Sequence, residues 1–364
     1  MKTSKRLPGL AAVFGIWLLL AVCCWFRPSE EISMSERRKL AQFPEITAQS
    51  LFSGKFAEDF QAYSMDQFPF REHFRMLKAS VGGLFGQKDN HGIYLADGTA
   101  AKIEYPLDRD SVQSAAEKLT DLYTEYIEGK TDSIYLSVIP DKGYYLAAKK
   151  GYPALDYGEL FGIMREKMDY AEYLDLCGWL DAESYYRTDT HWRQEKLTGA
   201  AEFLAESMGK KLSGTYEEEV VRKDFRGVYY GQSALPMAGE EIVILRNPVI
   251  DSCRLTRTDT EAVTGVYDRE ALFGRDPYEV YLSGAAPVLT ISNPLCPDGQ
   301  KLIIFGDSFS SSLAPLLAEG WSEVTLVDIR YIDSRLIGKY VEFENADVFF
   351  LYSTLLLNDS GAMR

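Results

Sequence analysis

The stretch Lys301-Leu302-Ile303-Ile304-Phe305-Gly306-Asp307-Ser308 decides how this chain is read. Its apolar run is too short for a helix and too uniform to have a wet face, which is the pattern of a buried strand. Gly306 permits a tight turn, and Ser308 falls where a helix begins. That helix runs to about Ala318. It is followed by a strand at Val324-Thr325-Leu326-Val327, a helix near 333–341 and a strand at Val348-Phe349-Phe350-Leu351-Tyr352. Upstream, Ser133–Ile139 is another apolar, β-branched run, stopped by Pro140. Strands alternating with helices and apolar on both faces predict an α/β fold, a parallel sheet flanked by helices.

Helical spacing also predicts helices at 111–129, 156–173 and 193–208, the last carrying Leu197, Ala200, Ala201, Leu204 and Met208 on one face. Short strands are expected at Ile93-Tyr94-Leu95, before the turn Asp97-Gly98, and near 178–181. Residues 212–297, richer in Gly, Pro, Thr, Val and Tyr, read as a β-rich insertion. Nearer the start, Phe52, Phe56 and Phe60 share a helical face. Gln67-Phe68-Pro69-Phe70-Arg71-Glu72 breaks that helix, and a second amphipathic stretch runs to about Phe85.

The N-terminus carries an address. Lys2, Lys5 and Arg6 precede an uncharged apolar run at 10–26, and bulky residues at its end leave no small-x-small cleavage site. The expectation is an N-terminal transmembrane helix, an uncleaved signal-anchor rather than a cleaved signal peptide. Basic residues before the run and Glu30 and Glu31 after it put residues 1–9 in the cytoplasm and the body outside. Residues 27–46 then read as a stalk and 47–364 as a catalytic domain.

With 54 acidic against 39 basic residues and a net charge of −15, the chain lacks the basic surface that nucleic acid requires. A hydrophobic content of 46% excludes a disordered chain. Cys23 and Cys24 lie in the apolar run, and Cys177, Cys253 and Cys296 are an odd, widely spaced set, so no disulfide framework is expected. The three histidines show no metal-ligand spacing, and neither metal nor cofactor is predicted.

In an open parallel sheet, sites form beyond the carboxyl ends of the strands. Ser308 sits there, where free amides and the helix dipole favour a developing oxyanion, although the same position suits a plain helix cap. A serine nucleophile needs a base. His73 falls in an amphipathic helix and His91 in a polar turn, whereas His191 lies in Asp189-Thr190-His191-Trp192. An aspartate two residues before a histidine can fold back onto Nδ1 and leave Nε2 for the serine proton. Asp189 could equally cap the following helix.

Gly306-Asp307-Ser308-Phe309-Ser310 together with Asp189-Thr190-His191-Trp192 resembles the SGNH-hydrolase superfamily, and within it the DHHW and alginate O-acetyltransferase-like branch. In that branch the D-x-H-W segment precedes the nucleophile, as it does here. The resemblance extends to Phe68-Pro69-Phe70-Arg71-Glu72 and to Tyr352-Ser353-Thr354 with Asn358. It implies an SGNH-hydrolase-like fold and acetyl transfer to, or removal from, a cell-envelope polysaccharide. Ser308 would be the nucleophile, His191 the base and Asp189 its orienting group. Trp192, Tyr230, Arg330 and Asn358 are candidates for substrate contact, with Tyr185, Tyr186, Tyr229 and Tyr352 as further polar or stacking groups. Trp192 could instead pack behind the histidine. An external transferase implies a partner that exports acetyl groups, by analogy a membrane-bound O-acyltransferase. The alternatives are an acetylesterase with the same triad and a non-catalytic polysaccharide-binding scaffold.

Overall fold

The computed structural model describes residues 7–131, 133–260, 262–296 and 299–364. The chain divides into two compact units. One runs to Asn90 and includes Gly231–Pro236; the other holds His91–Tyr230 and Met237–Arg364. The boundary between these two units falls near residue 90.

In the N-terminal unit, α1 (Leu7–Phe26) is an uncharged helix. Among the described residues no helix is long and apolar enough to cross a membrane, so the anchor rests on the sequence pattern. Residues 27–46, read above as a stalk, contain a small hairpin, β1 (Ile32–Ser33) and β2 (Arg38–Lys39). After α2 (Ala48–Phe52) come α3 (Lys55–Asp66) and α4 (Arg71–Leu84). Ion pairs order this segment. Arg38 grips both oxygens of Asp66 at 2.8 and 2.6 Å, and Arg71 reaches Glu36 at 2.5 Å. The Phe68–Arg71 motif turns the corner between α3 and α4, with Phe70 in the left-handed region at φ 58°.

The second unit begins with the hairpin β3 (Ile93–Ala96) and β4 (Thr99–Lys102). Asp108 caps α5 (Arg109–Leu122), whose Val112, Ala115, Leu119 and Leu122 are buried at helical spacing. Then follow β5 (Ile134–Ile139), α6 (Lys142–Lys150), α7 (Tyr157–Lys167), β6 (Glu172–Tyr173) and α8 (Thr198–Ser207). A two-stranded sheet, β7 (Glu217–Phe225) with β8 (Glu240–Arg246), carries register shifts. The chain continues through β9 (Arg254–Arg257), β10 (Val263–Thr264), β11 (Val288–Ser292), β12 (Lys301–Gly306), α9 (Ser310–Leu317), β13 (Glu323–Val327) and β14 (Ala346–Ser353).

Eight strands form the main sheet in the order β10-β9-β11-β13-β12-β14-β5-β6. The five from β13 to β6 are parallel; β10, β9 and β11 add antiparallel to one edge. The region read as an insertion thus completes the sheet, because its Thr- and Val-rich segments supply edge strands that no helix crossover could. Along β12 the side chains alternate between two cores: Leu302 and Ile304 enter the one shared with α8 and α9, while Ile303 and Phe305 enter the one shared with α5 and α7. This alternation explains the unbroken apolar run. The strand expected near 178–181 is absent; pairing with β5 falls instead at Glu172–Tyr173. The helix expected near 333–341 is a 3₁₀ segment, Ser334–Lys339.

Candidate active site

Residues 185–192 fold into a tight hairpin closed by a bridge between Tyr185 and Trp192 and by the Tyr186 amide donating to the His191 carbonyl at 3.0 Å. The turn brings Asp189 back onto His191: Oδ1 lies 2.7 Å from Nδ1 and also accepts the His191 amide at 3.1 Å. On the other side of the ring, Nε2 stands 2.8 Å from the Ser308 hydroxyl oxygen. Asp189 is fully buried, His191 nearly so, and Ser308 is partly open. One alcohol, one imidazole and one carboxylate are therefore in line at hydrogen-bond distance, the arrangement that lets a histidine take a serine proton.

The turn that carries Ser308 is held by Asp307. Its Oδ1 accepts the Phe309 amide at 3.1 Å; its Oδ2 accepts the Ser353 amide at 3.0 Å and the Ser353 hydroxyl at 2.6 Å. The middle residue of Gly306-Asp307-Ser308 thus ties the start of α9 to the end of β14.

Buried polar groups brace the hairpin. Lys142, at the carboxyl end of β5 and only 2% exposed, donates from Nζ to the carbonyls of Tyr186 at 3.0 Å and Asp189 at 2.7 Å. Burial brings its pKa down to about 7, against the pull of Asp189, Glu240 and Asp141. Glu240 accepts the amides of Arg187 and Thr188 at 2.8 and 2.7 Å. The Val228 amide donates to the second oxygen of Asp189 at 2.8 Å. That approach needs Gly227, where a Cβ would run into Asp189. Gln194 spans three segments, donating to the Ser312 carbonyl and accepting from the Leu245 amide, both at 2.8 Å.

Tyr278 lies flat on the imidazole, ring centres 4.0 Å apart and planes 10° from parallel, with Phe309 tilted nearby at 5.1 Å. The Tyr278 hydroxyl donates to Ser312 at 2.9 Å, and burial holds its pKa well above the usual phenol value. Its segment lies within the supposed insertion, and nothing local in the sequence marks it. Lys142 had a legible signal, standing just past a strand's carboxyl end.

The other candidates divide. Trp192 is buried, donates from Nε1 to the Phe309 carbonyl at 2.9 Å and packs edge-on to that ring. It is a strut behind the histidine and has no free face for a sugar. Tyr185, Tyr186 and Tyr229 are buried as well. Tyr230 remains partly exposed, with Arg226 over its ring at 5.1 Å. Arg330 is locked on Asp328 at 2.9 and 2.6 Å. Asn358 accepts the Asp108 amide at 2.8 Å and donates to the Pro106 carbonyl at 3.3 Å, so its amide closes a loop. Tyr352 is fully buried, its hydroxyl unpaired among the described residues. His73 and His91 are exposed, and among the described residues no side-chain cluster is arranged to hold a metal.

No protein-family model and no curated sequence matches this chain. Solved structures of the same fold do. A DHHW family protein from Eubacterium siraeum aligns at 19% identity and a TM-score of 0.59, covering 74% of this chain and 92% of its own. PatB1 from Bacillus cereus aligns at 17% identity and 0.58, covering 73% and 96%; its structure with a sulfonyl adduct aligns at 16% and 0.57, covering 73% and 95%. At these identities the likeness establishes the fold.

Proposed function

We propose that the protein is an extracytoplasmic O-acetyltransferase acting on hydroxyls of a cell-envelope or secreted polysaccharide, anchored in the membrane through residues 10–26. The observation that carries this reading is the line from Asp189 through His191 to Ser308, at 2.7 and 2.8 Å. The sequence resemblance to the DHHW and alginate O-acetyltransferase-like branch supports the substrate class, and the shared fold is consistent with it.

In this mechanism His191 Nε2 takes the Ser308 proton as Oγ bonds to the acyl carbon. The proton passes to the departing donor group, whose bond to the acyl carbon breaks. Asp189 holds the tautomer and stabilises the imidazolium. The Ser308 amide, next to the first turn of α9, would donate to the oxyanion together with a second donor. A sugar hydroxyl then gives its proton to His191 and attacks the acyl-serine, and the proton returns to Ser308 Oγ. No metal or cofactor enters. The acetyl donor outside the cell would be a partner such as a membrane-bound O-acyltransferase. The anchor would hold the two together and raise their effective concentration.

The decisive experiment is incubation with a chromogenic acetyl ester followed by intact mass measurement. An adduct of about 42 Da on Ser308, absent in Ser308→Ala, supports the acyl-enzyme. Turnover that survives in Ser308→Ala ends the reading. Adding acceptor oligosaccharide separates transfer, which yields acetylated sugar, from hydrolysis, which yields acetate alone. Loss of cellular acetylation on deletion but not on Ser308→Ala points to a scaffold.

A further inference from the structure

A cavity of about 20 Å³ adjoins Ser308. Apolar side chains form much of its wall: Ala286, Leu289, Leu326 and Val327. Leu289 and Leu326 stand directly opposite each other on β11 and β13. Ser310 also opens on this space; it is 1% exposed, and its hydroxyl has no partner among the described residues. The two carboxylates in the lining are engaged, Asp307 with Phe309 and Ser353, Asp328 with Arg330.

A cavity admits a single water from roughly 10–15 Å³ upward, and that water wants two to four polar partners. This cavity has room for one group of about that size, a methyl as readily as a water, beside the Ser308 oxygen, and offers one unpaired buried hydroxyl against mainly apolar walls. An acetyl group has matching chemistry: one carbonyl oxygen to accept a hydrogen bond and one methyl to bury. We propose that this cavity is the acyl pocket of the nucleophile, that it seats a two-carbon acyl group, and that Leu289 and Leu326 set the length limit. The proposal rests on the acyl-serine reading above and adds to it the residues that choose the acyl group.

The test is the ratio of kcat/KM for p-nitrophenyl butyrate and acetate in wild type, Leu326→Ala, Leu289→Ala and Ala286→Val. Each added methylene that finds no room costs about tenfold or more. Wild type is expected to favour acetate by about 100-fold. Either leucine truncation should raise the butyrate-to-acetate ratio about tenfold or more, and Ala286→Val should depress acetate turnover with an unchanged circular dichroism spectrum. Because the ratio is internal to each variant, a loss of stability does not mimic the effect. Equal use of both esters by wild type, or one ratio throughout the series, overturns the pocket. Turnover of both esters by Ser308→Ala overturns the acyl-serine reading instead, so the two failures are told apart.

Discussion

The two units of this chain are held together by different forces. In the second unit every side chain of β14 is buried, and the interior strands feed two apolar cores. In the N-terminal unit α2 and α3 bury no residue, and α4 buries only Ala79. That unit is tied by Arg38, Arg71 and Arg75 set against Glu36 and Asp66, beside a ring cluster of Phe43, Phe56, Phe60 and Tyr63. Its helices leave Phe52, Phe74, Leu77, Leu84 and Phe85 exposed. A buried Leu or Phe contributes about 1.5–3 kcal/mol, whereas an exposed ion pair contributes about 0–1 kcal/mol, and the half-buried pairs here lose part of their attraction to desolvation. The acid–base geometry thus stands where burial dominates, and the salt-sensitive part of the chain is elsewhere.

Five perturbations break or sharpen this contrast. The largest effect is expected at the triad: Asp189→Asn should cut ester turnover by about 10³–10⁴-fold without unfolding the protein, because the histidine loses its orienting acceptor. Turnover within tenfold of wild type would remove Asp189 from the mechanism. Next, Gly227→Ala places a methyl where Asp189 now sits. Displacing the carboxylate should cost about 100-fold in kcat and lower Tm as well, and an unaltered crystal geometry of 185–192 would contradict this.

Lys142→Met tests the buried brace through pH. The folded-state pKa is depressed from 10.5 to about 7, so between these values the unfolded chain binds the extra proton. Wild-type stability should therefore rise relative to Lys142→Met as pH climbs from 7 towards 10, and parallel denaturation curves across that window would refute the assignment. At Tyr278 the ring counts for more than the hydroxyl: Tyr278→Leu should lose about threefold to tenfold in kcat and Tyr278→Phe much less. Equal losses would make the Ser312 bond the important contact. The smallest effect is expected at Arg71→Ala, about 1 kcal/mol in local stability, diminished by salt, with soluble ester turnover unchanged. A large loss of turnover there would give this ion pair a part in the reaction.

Legibility in the sequence followed the range of the interactions. The strand, turn and helix from Lys301 onward were readable because an apolar run, a glycine and a helix start act over a few residues. The fold of Asp189 onto His191 was readable for the same reason. Trp192 was open to two readings, sugar platform or strut, and its bond to the Phe309 carbonyl makes it a strut. Asn358 and Arg330 looked available because side-chain type alone does not reveal a partner; one closes the 106–108 loop and the other is locked on Asp328. The edge strands from 254 to 292 were hidden within an apparent insertion, since antiparallel edges lack the strand–helix alternation that marked the rest.

Taken alone, the chain's chemistry settled which residues could form a nucleophile turn and which histidine had a carboxylate at hand. Folding decided the rest: that Nε2 of His191 meets Ser308, that Tyr278 covers the ring, and that Lys142 is sealed beneath the hairpin. The reason is physical. Periodicity, turn preference and short-range hydrogen bonds are written residue by residue. The meeting of segments far apart in sequence depends on how many small burial gains sum over a whole core, and no local pattern encodes that sum.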